Sequence, residues 1–251
     1  MYLRLASFFI SIPVLCLVTL SASAQAPSGN SWNFLIEPYL MFPYMNGSTG
    51  IGDLPDVSVD ADAGDIFSNL RLGAMLYGEA YTERWAISTD ILYMNLKQDV
   101  RTGVLINDGS LQAKQFAWEV SGLRKLLPWL DVGVGGRLNR LKAGADLTTN
   151  TTNRSRSTTE SWFDPILIAR IKNATDEKLL YQLRTDIGGF GVGADLTWQI
   201  QAYVGYRFSH LFQVSAGYRI IGIDYEKGTE DDRFKYDINT SGPVVRFGFN
   251  L

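Results

Sequence analysis

Charged side chains of both signs recur on one face of short alternating segments: Arg71, Glu79, Asp90, Glu119, Asp131, Arg137, Asp164, Arg170, Arg184, Asp186, Arg207, Arg219 and Arg246. In a strand, residues two apart share a face, so each segment would hold its charges on one side. If those sides meet inside a small closed sheet, long side chains of opposite sign tend to fill the interior. A self-paired salt-bridge core is the favoured reading. A narrow polar conduit, with selectivity set by the same residues, is the second.

Carboxylates at strand ends also raise hydrolysis, which needs a base within hydrogen-bond reach of the nucleophile. His210 is the only histidine. It falls in a short turn, far from the long loops where a rim site would sit, and a rim-located hydrolase is therefore disfavoured. Gly188-Gly189-Phe190-Gly191-Val192-Gly193 has the look of a phosphate loop, but such loops lead into a helix N-terminus and here Leu196 begins a strand. A glycine-rich hairpin is the better account. Asp186 and Asp195 flank it, yet a hard cation wants more oxygen ligands than this pair supplies. The aspartates Asp53, Asp56, Asp60, Asp62 and Asp65 fit no EF-hand spacing and read as a solvated acidic loop. The Thr/Ser/Asn-rich run 148–159, with Arg154 and Arg156, could touch lipopolysaccharide phosphates, although an ordinary exposed loop is preferred.

The segments that must position these residues are strands. From Leu196 to Phe208, Leu196, Trp198, Ile200, Ala202, Val204, Tyr206 and Phe208 alternate with Thr197, Gln199, Gln201, Tyr203, Gly205 and Arg207. Nine further segments behave similarly, giving ten near 32–45, 70–81, 85–99, 111–126, 129–143, 162–173, 179–188, 196–208, 212–225 and 234–250. Their connections alternate strictly. Those at 82–84, 127–128, 175–177 and 209–211 are short, while 46–69, 100–110, 144–161, 189–195 and 226–233 are mostly longer and more polar. That interleaving is the topology of a transmembrane barrel, with short periplasmic turns and longer outer loops.

The expected fold is therefore all-β: a closed antiparallel transmembrane β-barrel of ten strands, or eight if the hairpin 162–188 does not span. Aromatic residues near strand ends (Trp85, Trp129, Phe208, Phe212 and Phe249 at one, Tyr44, Tyr93, Trp162, Trp198 and Tyr225 at the other) predict two interfacial girdles. A soluble β-sandwich would have no reason for them. Pro38, Pro43 and Pro243 sit awkwardly within strands, since proline donates nothing to a ladder. Phe234, Tyr236 and Ile238 are even-numbered whereas Val245, Phe247 and Phe249 are odd, so a β-bulge is expected at Ser241-Gly242-Pro243.

Residues 1–24 read as a signal peptide: Arg4, an apolar run from Phe8 to Leu20, and Ala22-Ser23-Ala24 before the cut. The run is short for a spanning helix. Cys16, the only cysteine, leaves with it, so the mature domain 25–251 carries no thiol and needs no disulfide. With 23 basic against 26 acidic side chains and a net charge of −3, nothing suggests nucleic-acid binding. No linker divides the chain, and no cofactor is expected.

Trp162-Phe163-Asp164-Pro165, the run from Asp186 to Gly193 followed by Thr197-Trp198-Gln199, and Gly205-Tyr206-Arg207, Gly217-Tyr218-Arg219 and Asp224-Tyr225 carry a resemblance. They resemble a mostly uncharacterised group of small Gram-negative outer-membrane barrel proteins. The match is good over the C-terminal half and loose over the first. It implies a fold and an outer-membrane location but brings no catalytic residues. The chain ends at Leu251, where such barrels usually end on an aromatic, while Phe247 and Phe249 keep the alternation. Expected partners are outer-membrane lipid, lipopolysaccharide and, during biogenesis, the barrel-assembly machinery.

Overall fold

A computed structural model describes residues 31–52, 55–100, 106–149, 153–173 and 177–251. The leader and its cut after Ala24 lie outside the described residues, as does Asp53 of the acidic loop.

The first barrel strand is written in two pieces, β1 (Asn33–Met41) and β2 (Tyr44–Ile51), interrupted at Phe42-Pro43. A short β3 (Val57–Ala61) and a six-residue helix α1 (Ala63–Ser68) follow. The rest is a meander: β4 (Leu70–Tyr81), β5 (Trp85–Val100), β6 (Ile106–Leu127), β7 (Leu130–Thr149), β8 (Asn153–Lys172), β9 (Leu179–Gly189), β10 (Leu196–Arg207), β11 (Phe212–Lys227) and β12 (Phe234–Asn250). Each strand from β4 to β12 pairs antiparallel with the next, and β12 returns to β1 with Leu35 opposite Asn250 and Met41 opposite Val244. The result is a closed antiparallel ten-stranded barrel, and the 162–188 hairpin is part of it. Closure matters because each unpaired backbone group in hydrocarbon costs several kcal/mol.

The outer surface is apolar. Phe34, Ile36, Leu40, Ile87, Val120, Val134, Phe163, Leu167, Leu183, Ile187, Ile200, Val204, Phe247 and Phe249 are all exposed around the wall. A water-soluble monomer does not carry a continuous apolar girdle of that extent; the barrel spans a membrane. Among the described residues, Phe34, Leu251 and the turns at 82–84, 128–129 and 208–211 share one end. At two of those turns a hydroxyl caps the backbone: Thr82 Oγ1 accepts from Trp85 N at 3.0 Å and Ser209 Oγ from Phe212 N at 3.1 Å.

Four expectations need correction. The connection 46–69, read as a loop with a solvated acidic run, carries β2 on to Ile51, then β3, which holds Asp60, and α1, which Asp62 and Asp65 cap. The segments 100–110 and 144–161, read as loops, largely continue the ladder, with Ser110 opposite Asp146 and Ala143 opposite Thr158. The run 144–161 is rich in threonine, a good strand former, but it is polar at odd and even positions alike and so shows no apolar alternation by which to recognise a strand. The β-bulge expected at Ser241-Gly242-Pro243 does not occur, because β12 pairs with β11 without a register shift. Even-numbered residues face inward along its whole length, and what changes is which side is apolar: Phe234, Tyr236 and Ile238 are buried inside, while Phe247 and Phe249 face outward lower down. Finally, Trp162 and Tyr225 belong to no girdle. They stack on one another in the interior, centroids 4.1 Å apart.

Candidate functional site

Strand parity sends a column of polar side chains into the lumen, and closure of the barrel brings them together. In the layer nearest the short turns, Arg170 on β8 donates from Nε and Nη2 to Asp131 Oδ2 on β7 at 3.0 and 2.7 Å. Its Nη1 pairs with Glu79 on β4, which also accepts from the Tyr77 hydroxyl. Lys172 Nζ stands 3.5 Å from the other Glu79 oxygen. Beside them, Arg246 on β12 pairs with Glu37 on β1 at 3.3 Å and donates to Gln201 Oε1 at 2.9 Å.

A second layer crosses the barrel at mid-height. Asp90 accepts from Tyr39 at 2.7 Å and pairs with Arg219 at 3.1 Å. Arg219 Nε donates to Gln199 Oε1 at 2.8 Å, and Gln199 Nε2 donates to Asp186 Oδ2 at 2.8 Å. Arg137 Nη2 then bridges Asp186 and Glu119, each at 2.8 Å, while its Nη1 donates to Thr197 at 3.0 Å. Glu119 also pairs with Arg184. This chain draws on β1, β5, β6, β7, β9, β10 and β11. Buried charges are tolerable only when paired and hydrogen-bonded, and every acid and base named here is buried yet engaged; Lys172, at the edge of the first layer, is the half-buried exception.

Above it, Asp164 accepts from Trp162 Nε1 at 2.9 Å, Asn139 Nδ2 at 3.0 Å and the Ala194 amide at 2.7 Å. Asp164 thereby pins the glycine-rich turn, whose backbone needs positive φ at Gly189, Phe190 and Gly191. The turn closes a hairpin and leads into β10. Asp186 is consumed by Arg137 and Gln199 inside the lumen, whereas Asp195 is exposed, so the two do not form a cation site. His210 is exposed in the short β10–β11 turn.

One sequence candidate lies outside the lumen and another at its mouth, beside Glu37 and Arg246. Arg71 is exposed, at the register shift between Leu70 and Leu72 that takes it out of the alternation. Arg207 is half-buried at the short-turn end, where its Nη2 donates to Gln213 Oε1 at 3.2 Å. Conversely, the sequence reading leaves out the charged Glu37 and Lys172, and attention to charge alone misses Gln199, Gln201 and the tyrosines Tyr39, Tyr77 and Tyr203. Gln199 and Gln201 share the parity of Arg207, which was the available signal.

The structural neighbours are outer-membrane β-barrel proteins. The chain is similar to Ail, the attachment invasion locus protein of Yersinia pestis, solved in complex with the heparin analogue sucrose octasulfate: TM-score 0.36, 12% identity, 89% of this chain and 100% of that one. It is similar to the outer membrane protease OmpT from Escherichia coli, with TM-score 0.43, 9% identity, and coverage of 91% and 99%. Neisserial surface protein A, NspA, gives TM-score 0.28, 9% identity, and coverage of 89% and 99%. No family model and no curated protein matches the chain.

Proposed function

We propose that this protein is an integral outer-membrane barrel of a Gram-negative bacterium with a structural or surface-interaction role, its lumen closed by paired charge rather than open for transport. The observation that carries this reading is the mid-height layer, in which Asp90, Arg219, Gln199, Asp186, Arg137 and Glu119 join into one bonded chain across the interior. An ion would have to break several charge-assisted hydrogen bonds to pass. The leader is cut after Ala24, the short turns and termini face the periplasm, and the long hairpins face outward among lipid and lipopolysaccharide. Assembly uses the barrel-assembly machinery. No hydrolytic role is assigned, since His210 lies at the end opposite the long hairpins.

Single-channel recording in planar bilayers tests it. The wild-type barrel should give no stable conductance steps, and Arg137→Ala should introduce them by breaking the layer. Ion-selective steps in the wild type would overturn the closed reading in favour of a narrow pore.

A further inference from the structure

Above the charged layers the lumen changes character. A cavity of about 300 Å³ lies there, walled by Met45, Ile51, Val59, Met94, Leu141, Phe234 and other apolar groups, with Thr49, Gln115 and the Tyr236 phenol as its uncharged polar members. Lys114 and Lys142 also border it and are cross-strand partners, at the parity opposite to inward Gln115 and Leu141. A smaller space beneath shares Met45, Met94 and Gln115 and reaches down to Asp90, Arg137 and Arg219, so the charged layer is the floor. A further space of about 310 Å³ shares Ala61, Ile66, Leu96, Ala113 and Ala143 and continues alongside α1. Pockets for small ligands run from roughly 300 Å³ upward and are mostly apolar with a few polar groups.

The wall beside this chamber is not sealed. Pairing of β1 with β4 stops at Pro38 opposite Leu76. Beyond that point the Leu70–Met75 part of β4 pairs with β5 alone, and β3 pairs with β2 alone. Among the described residues the two facing edges share no ladder. The outward flanks at this height, Leu40, Phe42, Leu72 and Leu76, are exposed and apolar like the lipid-facing belt. Helix α1 sits at the seam. Its Ile66 is buried in the chamber, while Phe67 is exposed and meets the Phe42 ring at 5.5 Å. The helix is held locally by the Asp62–Asp65 capping box.

Methionine placement points the same way. Outside the leader the chain has four methionines, Met41, Met45, Met75 and Met94, and all line the chamber or the space at its floor. Methionine's unbranched thioether adapts to ligands of varied shape. An apolar cavity gains little from water, and the exposed apolar belt reaches the foot of the seam at Leu40, Phe42 and Leu76.

We propose that this chamber binds a single unbranched hydrocarbon chain, which passes sideways between bilayer and barrel through the seam between β3 and β4 with α1 as its movable cover. The inference goes beyond the closed-lumen reading and does not depend on it.

The test uses the mature barrel, with its methionine methyls ¹³C-labelled, in deuterated-lipid nanodiscs titrated with decane. Saturable shifts of the Met45 and Met94 methyl signals are expected, and Ala143→Trp, which fills the chamber, should abolish them. Retention of the compact unheated band on SDS gels shows that the variant is folded. Shifts that grow linearly without saturation, or that persist in a folded Ala143→Trp barrel, overturn the site. For the route, Phe42→Cys with Phe67→Cys adds the only thiols of the mature chain. Their disulfide should slow decane exchange, with recovery on reduction. Exchange unchanged by the lock overturns passage through the seam.

Discussion

The Arg246 guanidinium lies 4.0 Å from the ring centroid of Tyr203, with Tyr77 and Tyr39 completing a three-sided aromatic enclosure at 4.9 and 5.5 Å. Its carboxylate partner is Glu37 on β1. Cation and anion thus come from the last and first strands, and the pair fastens the closure from inside. Arg246→Met should lower stability by about 3–5 kcal/mol, because it leaves Glu37 buried and uncompensated. Adding Glu37→Gln should recover much of that loss. Arg246→Lys should fall between, keeping charge but losing the planar stack. Urea unfolding in detergent, followed by the gel shift of the folded barrel, measures all three.

Arg207 provides the contrast. It is half-buried, and its hydrogen bond is to a neutral glutamine at 3.2 Å, so Arg207→Ala should cost no more than about 1 kcal/mol. Arg170→Ala, which strands Glu79 and Asp131, should cost about 3–5 kcal/mol. Equal losses in the same urea series would contradict the assignment of Arg207 to the edge of the network.

Closure also depends on a bare backbone at Gly242. A Cβ there would sit 2.0 Å from the Phe42 carbonyl oxygen, backbone that cannot move without parting β12 from the β1–β2 junction. Gly242→Val should therefore abolish the compact unheated band on SDS gels. Gly122→Ala is the control, since a Cβ there meets nothing within 4 Å, and its band should be unchanged.

Much of this architecture could be read from period two alone. The run Leu196–Phe208 declares its two faces, and parity alone places Glu119, Arg137, Asp186 and Arg219 inside. The partners themselves were not legible: Arg170 meets Glu79 from 91 positions away, a meeting set by how closure superimposes the strands. Phe234, Tyr236 and Ile238 misled for a physical reason. Low on β12 the apolar side faces out at Phe247 and Phe249, whereas toward the long-hairpin end the outward positions are Lys235, Asp237 and Asn239 and the apolar side turns inward. The strand continuations within 100–110 and 144–161 are not legible because their sequence carries no sustained apolar alternation.

At the long-hairpin end, Asp56 accepts from Arg233 Nη1 at 2.7 Å and Lys235 Nζ at 3.0 Å, and Arg233 Nε donates to Glu226 at 2.6 Å. The hydrogen bonds from Arg233 and then Lys235 bring the Asp56 carboxyl down to about 2. A carboxyl that ionises more readily in the folded state adds stability that is complete above the ordinary aspartate range, about pH 4, and is lost as pH falls through its folded value. Amide exchange in the β2–β3 hairpin should therefore be flat from neutral pH to about pH 4, once corrected for intrinsic rates, and should accelerate toward pH 2. Asp56→Asn should show the fast behaviour already at neutral pH.

The length of β6, β7 and β8 has a consequence for what the cell's surroundings can touch. These strands run 22, 20 and 20 residues, where about 9–11 suffice to cross hydrocarbon at a tilt of roughly 45°. At about 3.3 Å per residue, they would stand on the order of 20 Å clear of the bilayer, as a stiff parapet on one side of the rim. With the long hairpins facing outward, as proposed, a phage fibre, an antibody or a neighbouring cell approaching that side would meet hydrogen-bonded sheet from β6, β7 and β8 rather than bare loop.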